Sequence, residues 1–237
     1  MHPVTHHIDV TCVRRGGDQI AEVAFAFSRC IDQVHRFHTN QPSGNVIAAS
    51  FPNMRAGRRV MTPSGPQLEK KPTLGDLLRM FGSAADLEAL RPNLTALCEA
   101  SGGLLACGRV TAVPGDIRGR EAFVRARDTE RHATSAGIAR RLDDLRHLYA
   151  QPRADGGLSS DLEQRARLGD ATAHLLDRHK AAQDVPPFVG RTSCSTGYRR
   201  MSLYLKRVAD QGTDRAAGRI NSFGFSSTQA PLFLPVW

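Results

Sequence analysis

The residues best equipped for chemistry in this chain are arginines. Only four of its 32 basic residues are lysines: Lys70, Lys71, Lys180 and Lys206. A guanidinium is a planar fork that grips phosphate bidentately and stacks on bases, whereas an ammonium is a mobile point charge. In Val124-Arg125-Ala126-Arg127 an extended backbone would turn Arg125 and Arg127 to one side. Arg131, Arg140 and Arg141 fall in a helical stretch, where they would line the helix against phosphates. Asp143 and Asp144 next door partly neutralise it, and a solvated helix surface is the plainer reading. Ser193-Cys194-Ser195-Thr196-Gly197 is a small-residue loop whose backbone could cradle a phosphate or a ribose. An ordinary turn at a strand end is its alternative. Arg14, closing the first predicted strand, is a candidate phosphate ligand.

Other chemistries find little support. Cys12, Cys30, Cys98, Cys107 and Cys194 are an odd set with no C-x-x-C pair, which argues against a disulfide framework and a zinc site. All five read as packing residues. No metal ligand set has workable spacing, and no cofactor is expected. Apolar residues make up 41% of the 237, and charged residues 23%, the composition of a globular protein. No apolar run approaches the roughly 18 residues that cross a bilayer. The first residues read as neither a secretory nor a transit signal, so no membrane partner is expected and the cytoplasm is the default. Net charge is +9. Residues 113–207 carry 18 basic against 12 acidic side chains, the first 112 carry 12 against 9, and the last 30 are neutral. Excess positive charge in the middle of the chain is the footprint of a nucleic-acid binder.

These residues need elements to hold them. From His6 to Arg14 the pattern alternates, with Ile8, Val10 and Cys12 on one face of a half-buried strand. Ile20, Val23, Phe27, Ile31 and Val34 recur at helical spacing, so Gln19 to about His38 reads as a long amphipathic helix. Val46–Phe51 is a short buried strand, and Pro52–Pro72 gives no assignable pattern. Leu77–Gly82 is a third strand. Ser83 is the N-cap of a second helix, with Asp86 at N3 and Pro92 predicting a kink or break. Leu104–Val113 is a fourth strand. This strand–helix–strand–strand–helix–strand order predicts a ferredoxin-like, RRM-like domain over residues 1–114. After Pro114 the expectation is a second α+β, RNA-binding domain over 115–237. It comprises an extended arm over Arg118–Arg127 and two Ala/Arg/Leu-rich helical stretches, Thr129–Tyr149 and Ser159–Ala182, forming an arginine-rich finger. Strands at Phe188–Thr192, Met201–Arg207 and Arg219–Phe225 follow, then an apolar tail, Pro231–Trp237, that packs on the fold.

Several short runs, in order, resemble one family. They are Ala49-Ser50-Phe51-Pro52, Leu74-Gly75-Asp76-Leu77-Leu78-Arg79 leading to Ser83-Ala84-Ala85-Asp86-Leu87, Val124-Arg125-Ala126-Arg127, Pro187-Phe188-Val189, Ser193-Cys194-Ser195-Thr196-Gly197, Phe223-Gly224-Phe225-Ser226, and Phe233-Leu234-Pro235 with Trp237. Together they resemble the CRISPR RNA-processing endoribonucleases, in the branch serving subtype I-F and type IV systems. The resemblance implies binding of the CRISPR repeat stem-loop and cleavage at the stem base. The ribose 2′-hydroxyl would attack the adjacent phosphate without metal, leaving a cyclic phosphate and a 5′-hydroxyl. It also implies that the mature crRNA stays bound and that other CRISPR effector-complex subunits are partners. The long stretch over 129–182 departs from the compact helix of subtype I-F enzymes and favours type IV. Phe223 departs too, standing where the subtype I-F pattern has tyrosine, so a phenolic hydroxyl is missing.

The same resemblance places a histidine base on the first helix and has a serine of S-x-S-T-G, here Ser193, hold the ribose. Counting back from Ser50-Phe51-Pro52, with one extra loop residue, puts His35 at the base position. Counting forward from the helix start puts Arg29 there, and His38 is a lesser candidate. Arginine cannot act as a base at neutral pH but can stabilise the phosphorane. For the RNA, Arg125 would read the base of the stem in the major groove. Two other readings stay open: an RNA-binding subunit of the same ancestry that has lost cleavage, and an unrelated basic DNA-binding factor.

Overall fold

A computed structural model describes residues 4–13, 20–40, 46–62, 65–127, 141–147, 168–173, 184–193, 199–210, 212 and 218–237. It is an α+β protein, as its sequence pattern predicts. Arg14, Arg131, Arg140, Ser195, Thr196 and most of the two helical stretches lie outside the described residues.

Two compact units divide the chain. The larger comprises Met1–Arg55, Pro72–Ala126 and Pro186–Trp237. Its first sheet is built on β1 (His6–Cys12), whose Ile8, Val10 and Cys12 alternate into the core. The helix α1 (Ile20–Asn40) buries Val23, Phe27, Cys30, Ile31, Val34 and Phe37 along one stripe, at the i, i+4, i+7 spacing of an amphipathic helix. After α1 come β2 (Ala48–Ser50) and, beyond an insertion, β5 (Leu77–Gly82). Helix α2 (Ala84–Ala100) is capped by Ser83, whose Oγ accepts from the Asp86 N–H at 3.1 Å and donates to the Asp86 carboxylate at 2.8 Å. Pro92 does not divide α2, which is one element across it. The proline is exposed, so water can satisfy the carbonyl it orphans while Leu87, Leu90, Leu94 and Cys98 keep the buried face.

The predicted fourth strand forms in two pieces, β6 (Leu105–Cys107) and β7 (Thr111–Ala112), which pair with opposite ends of β1. Gly108 lies between them. Its N–H donates to the Asp9 carbonyl at 2.8 Å, and a Cβ there would stand 3.2 Å from that oxygen. The sheet order is β2-β5-β1-β6, the antiparallel 2-3-1-4 order of a ferredoxin-like unit.

Helices α1 and α2 cover one face of this sheet through Ile8, Val10, Leu78 and Met80. The opposite face, which serves as the RNA platform in RRM domains, is occupied by the chain's own C-terminus. Trp237 packs edge-on against His7 (ring centroids 4.8 Å) and Phe81 (5.9 Å), and the Arg79 guanidinium lies 4.0 Å above the indole. Arg79 also makes a bidentate pair with Asp9, at 2.7 and 2.8 Å.

The second sheet of this unit runs β10-β11-β8-β12, from β8 (Gly119–Arg125), β10 (Phe188–Ser193), β11 (Arg199–Ala209) and β12 (Leu234–Val236). Phe123, Val189, Leu203 and Leu205 join the core that α1 and α2 share. Strand β8 ends at Arg125, so Arg127 does not continue its alternation. The last ladder contact is from the Ala126 N–H to the Tyr204 carbonyl, at 2.7 Å. Arg219–Phe225 forms a turn with isolated bridges instead of a strand, because the Asn221 side chain captures backbone N–H groups that a ladder would use.

The smaller unit comprises Ala56–Lys71 and Arg127–Val185. The insertion after β2 folds here as a hairpin, β3 (Gly57–Thr62) and β4 (Gly65–Lys70), with β9 (Asp184–Val185) pairing on β3. Residues 141–147 and 168–173 are helical. No helix among the described residues is long and apolar enough to cross a membrane.

Candidate active site and RNA-binding surface

The Phe223-Gly224-Phe225-Ser226 run is where the C-terminal segment meets α1. The Oδ1 of Asn221 accepts from the N–H groups of Phe223 (2.9 Å) and Phe225 (3.2 Å), folding the run into a tight turn. Gly224 sits at φ +80°, and its carbonyl accepts from the Ala49 N–H at 2.8 Å. A Cβ at Gly224 would stand 2.8 Å from the Ile47 carbonyl oxygen and 3.3 Å from Val34 Cγ1, so both conformation and space require glycine. Phe225 enters the core beside Phe51, and the Ser226 hydroxyl ties to both the N–H and the carbonyl of Leu232.

This leaves Phe223 to face the helix. Its ring stacks on His35, with centroids 4.5 Å apart and planes 21° from parallel. The structure thus brings together the candidate base and the motif aromatic, from positions nearly 190 residues apart. His38, one turn on, has a different task. Its Nε2 accepts from the Ile47 N–H at 3.0 Å, which fixes the ring proton on Nδ1, and that N–H donates to the Ser222 carbonyl at 3.0 Å. Burial pushes its pKa below the ordinary histidine value, against smaller opposing effects of the Ser222 hydrogen bond and Asp86. A neutral imidazole with both nitrogens committed is a strut between α1, β2 and the turn.

Arg29 is exposed and faces elsewhere. It borders a cavity of about 250 Å³ lined by Phe25, Ala26, Leu97, Leu104 and Leu105. Ser193 ends β10, opposite Arg199.

The positive excess of the middle segment belongs mostly to strands. β8, β10 and β11 carry seven basic residues and one acidic residue, Glu121. Between 127 and 185, by contrast, ten basic residues meet ten acidic ones. Arg125 is half-buried at the end of β8, while Arg127 and Arg141 are exposed. Arg207, which sequence reasoning missed, is a clasp: its Nη2 donates to the carbonyls of Pro52 (2.9 Å) and Met54 (2.7 Å), and its Nε lies 3.5 Å from Glu121. Arginine type alone carries no signal separating such a clasp from an RNA ligand. Among the described residues no group of three or more His, Cys, Asp or Glu could hold a metal ion.

The model of the CRISPR-associated protein family (Cas_Csy4) matches residues 16–235, nearly the whole chain. The chain belongs to that family. No curated protein matches it. Cas_Csy4 proteins are CRISPR repeat-RNA-processing endoribonucleases, so this is an RNA-binding enzyme of CRISPR RNA maturation.

Proposed function

We propose that the protein cuts the repeat stem-loop at the stem base by internal transesterification. The 2′-hydroxyl attacks the adjacent phosphate as the P–O5′ bond breaks, which leaves a 2′,3′-cyclic phosphate on the upstream fragment and, once the departing oxygen takes a proton, a 5′-hydroxyl on the downstream one. The carrying observation is the stack of His35 on Phe223, which holds an imidazole in a fixed plane at the family's F-G-F-S run. On this reading His35 is the general base. Arg29, which cannot serve as a base and lies on another face of α1, has less support as the group that stabilises the phosphorane.

Ser193 holds the ribose, and Arg14 contacts the scissile phosphate. No metal takes part on this reading. Residues 115–237 form the RNA-binding half. Arg125 reads the closing base pair, and Arg127, Arg131, Arg140, Arg141, Ser195 and Thr196 hold backbone. The product stays bound, and with it the protein joins other CRISPR effector subunits in the cytoplasm. The long stretch over 129–182 supports a type IV assignment.

Phe223 supports a second reading, a binding subunit without cleavage, since it offers no hydroxyl to the reaction. Incubation with repeat RNA in EDTA separates the two. A cut stem-loop with a cyclic-phosphate end supports the first, and a shifted but intact stem-loop supports the second. Cutting that requires added magnesium overturns the mechanism.

A further inference from the structure

The smaller unit carries its positive charge in one place. Its 127–185 portion is balanced, ten basic against ten acidic, while the 56–71 portion holds Arg58, Arg59, Lys70 and Lys71 against Glu69 alone. Lys70 and Lys71 are also two of only four lysines in the chain, and they are adjacent.

The hairpin register sharpens this. Arg58 pairs directly opposite Lys70, and like charges across an antiparallel pair repel. Glu69 reaches Arg58 at 3.3 Å, but the two side chains are 59% and 45% exposed, and an exposed pair of this kind offsets little. A shift in register between Arg58 and Arg59 bulges the strand, a device that re-aims side chains. Strand β4 is the sheet edge, with Gln67 to Lys71 all exposed. One lysine would protect such an edge from pairing with another chain. Arg58, Lys70 and Lys71 leave this hairpin with more positive charge than the single Glu69 carboxylate offsets, a surface complementary to an anion.

We propose that the β3–β4 hairpin is a clamp for RNA backbone, in which Arg58, Lys70 and Lys71 hold successive phosphates of the repeat RNA and read no base. A bulged ribbon presenting mobile ammonium groups suits phosphates, which carry charge without sequence. The inference rests on the RNA-binding reading above and adds a surface to it.

The test titrates repeat stem-loop RNA against wild type and a variant combining Arg58→Gln, Lys70→Gln and Lys71→Gln, between about 50 and 300 mM salt. Three lost phosphate contacts should make the slope of log affinity against log salt shallower by about two to three. The loss should be the same for stem-loops of different sequence. A charge-keeping variant, Arg58→Lys with Lys70→Arg and Lys71→Arg, should return the wild-type slope. A glutamine variant that matches wild type overturns the clamp, as does a charge-keeping variant as impaired as the glutamine one. If wild type itself fails to hold the stem-loop at any salt, the RNA-binding reading falls first and takes the clamp with it.

Discussion

Replacing His38 with alanine removes a strut whose value can be worked from its contacts. Two neutral hydrogen bonds disappear, each 3.0 Å long and each contributing on the order of 1 kcal/mol net. The partly buried Ile47 N–H loses its acceptor, which adds a desolvation cost of about 1–3 kcal/mol. The expected loss is therefore about 3–5 kcal/mol near pH 7.5, a large share of the roughly 5–15 kcal/mol that holds a domain together.

The pH dependence has a definite sign. The folded pKa of His38 lies below its unfolded value of about 6.5. Well above 6.5 neither state binds the proton, so His38 adds no pH slope. As pH falls through 6.5 the unfolded chain takes up a proton that the folded protein refuses, and stability drops toward the folded pKa. His7, buried against Trp237 and shifted the same way chiefly by desolvation, acts in the same direction. Wild type should then lose stability between pH 7 and 5, and His38→Ala should lose less, so the gap between them narrows in acid. Urea denaturation followed by circular dichroism at pH 7.5 and 5.5 measures both quantities. A difference below about 0.5 kcal/mol at pH 7.5, or one that widens as pH falls, would refute the assignment of His38 as a neutral strut.

Other expectations follow from the same geometry. His35→Ala should slow single-turnover cleavage by about 10²-fold or more while stem-loop affinity changes less than about tenfold, and Arg29→Ala should leave the pH–rate profile unchanged in shape. A flat wild-type profile between pH 5 and 8 would instead favour Arg29, which does not titrate there. Arg125→Ala should cost about 1–3 kcal/mol of binding and relax preference for the closing base pair, and equal discrimination by wild type and variant would remove Arg125 from the recognition surface. Trp237→Ala should destabilise the fold by about 2–4 kcal/mol, since the indole covers His7, Phe81 and Arg79; an unchanged urea midpoint would contradict that packing. The Cys107 thiol, drawn down to about 7 chiefly by a hydrogen bond from Cys98, should be alkylated ahead of Cys12, Cys30 and Cys98, as peptide mapping after brief labelling at pH 7 would show.

The sequence by itself determined the elements whose signal is local. The alternation of Ile8, Val10 and Cys12, the stripe from Val23 to Phe37 and the Ser83 cap each state a period or a cap within a few residues. From these the ferredoxin-like order could be read before any contact was known. The hairpin after Phe51 was not legible, because its strands are polar on exposed faces and carry no apolar alternation to count. Nor was the turn at Asn221, where a side-chain oxygen competes with the ladder for backbone N–H groups.

Only the tertiary structure sorted the polar residues. His35 and His38 look alike in the sequence, three residues apart on one helix. One stacks on the ring of Phe223 and the other is locked between the backbone groups of Ile47 and Ser222. Arg207 and Arg79 are the same residue type as the RNA candidates, yet both are spent on internal carbonyls, a carboxylate and a ring. Residue type records what a side chain is able to bind. Which partner it meets depends on contacts between distant parts of the chain, and local spacing holds no record of those.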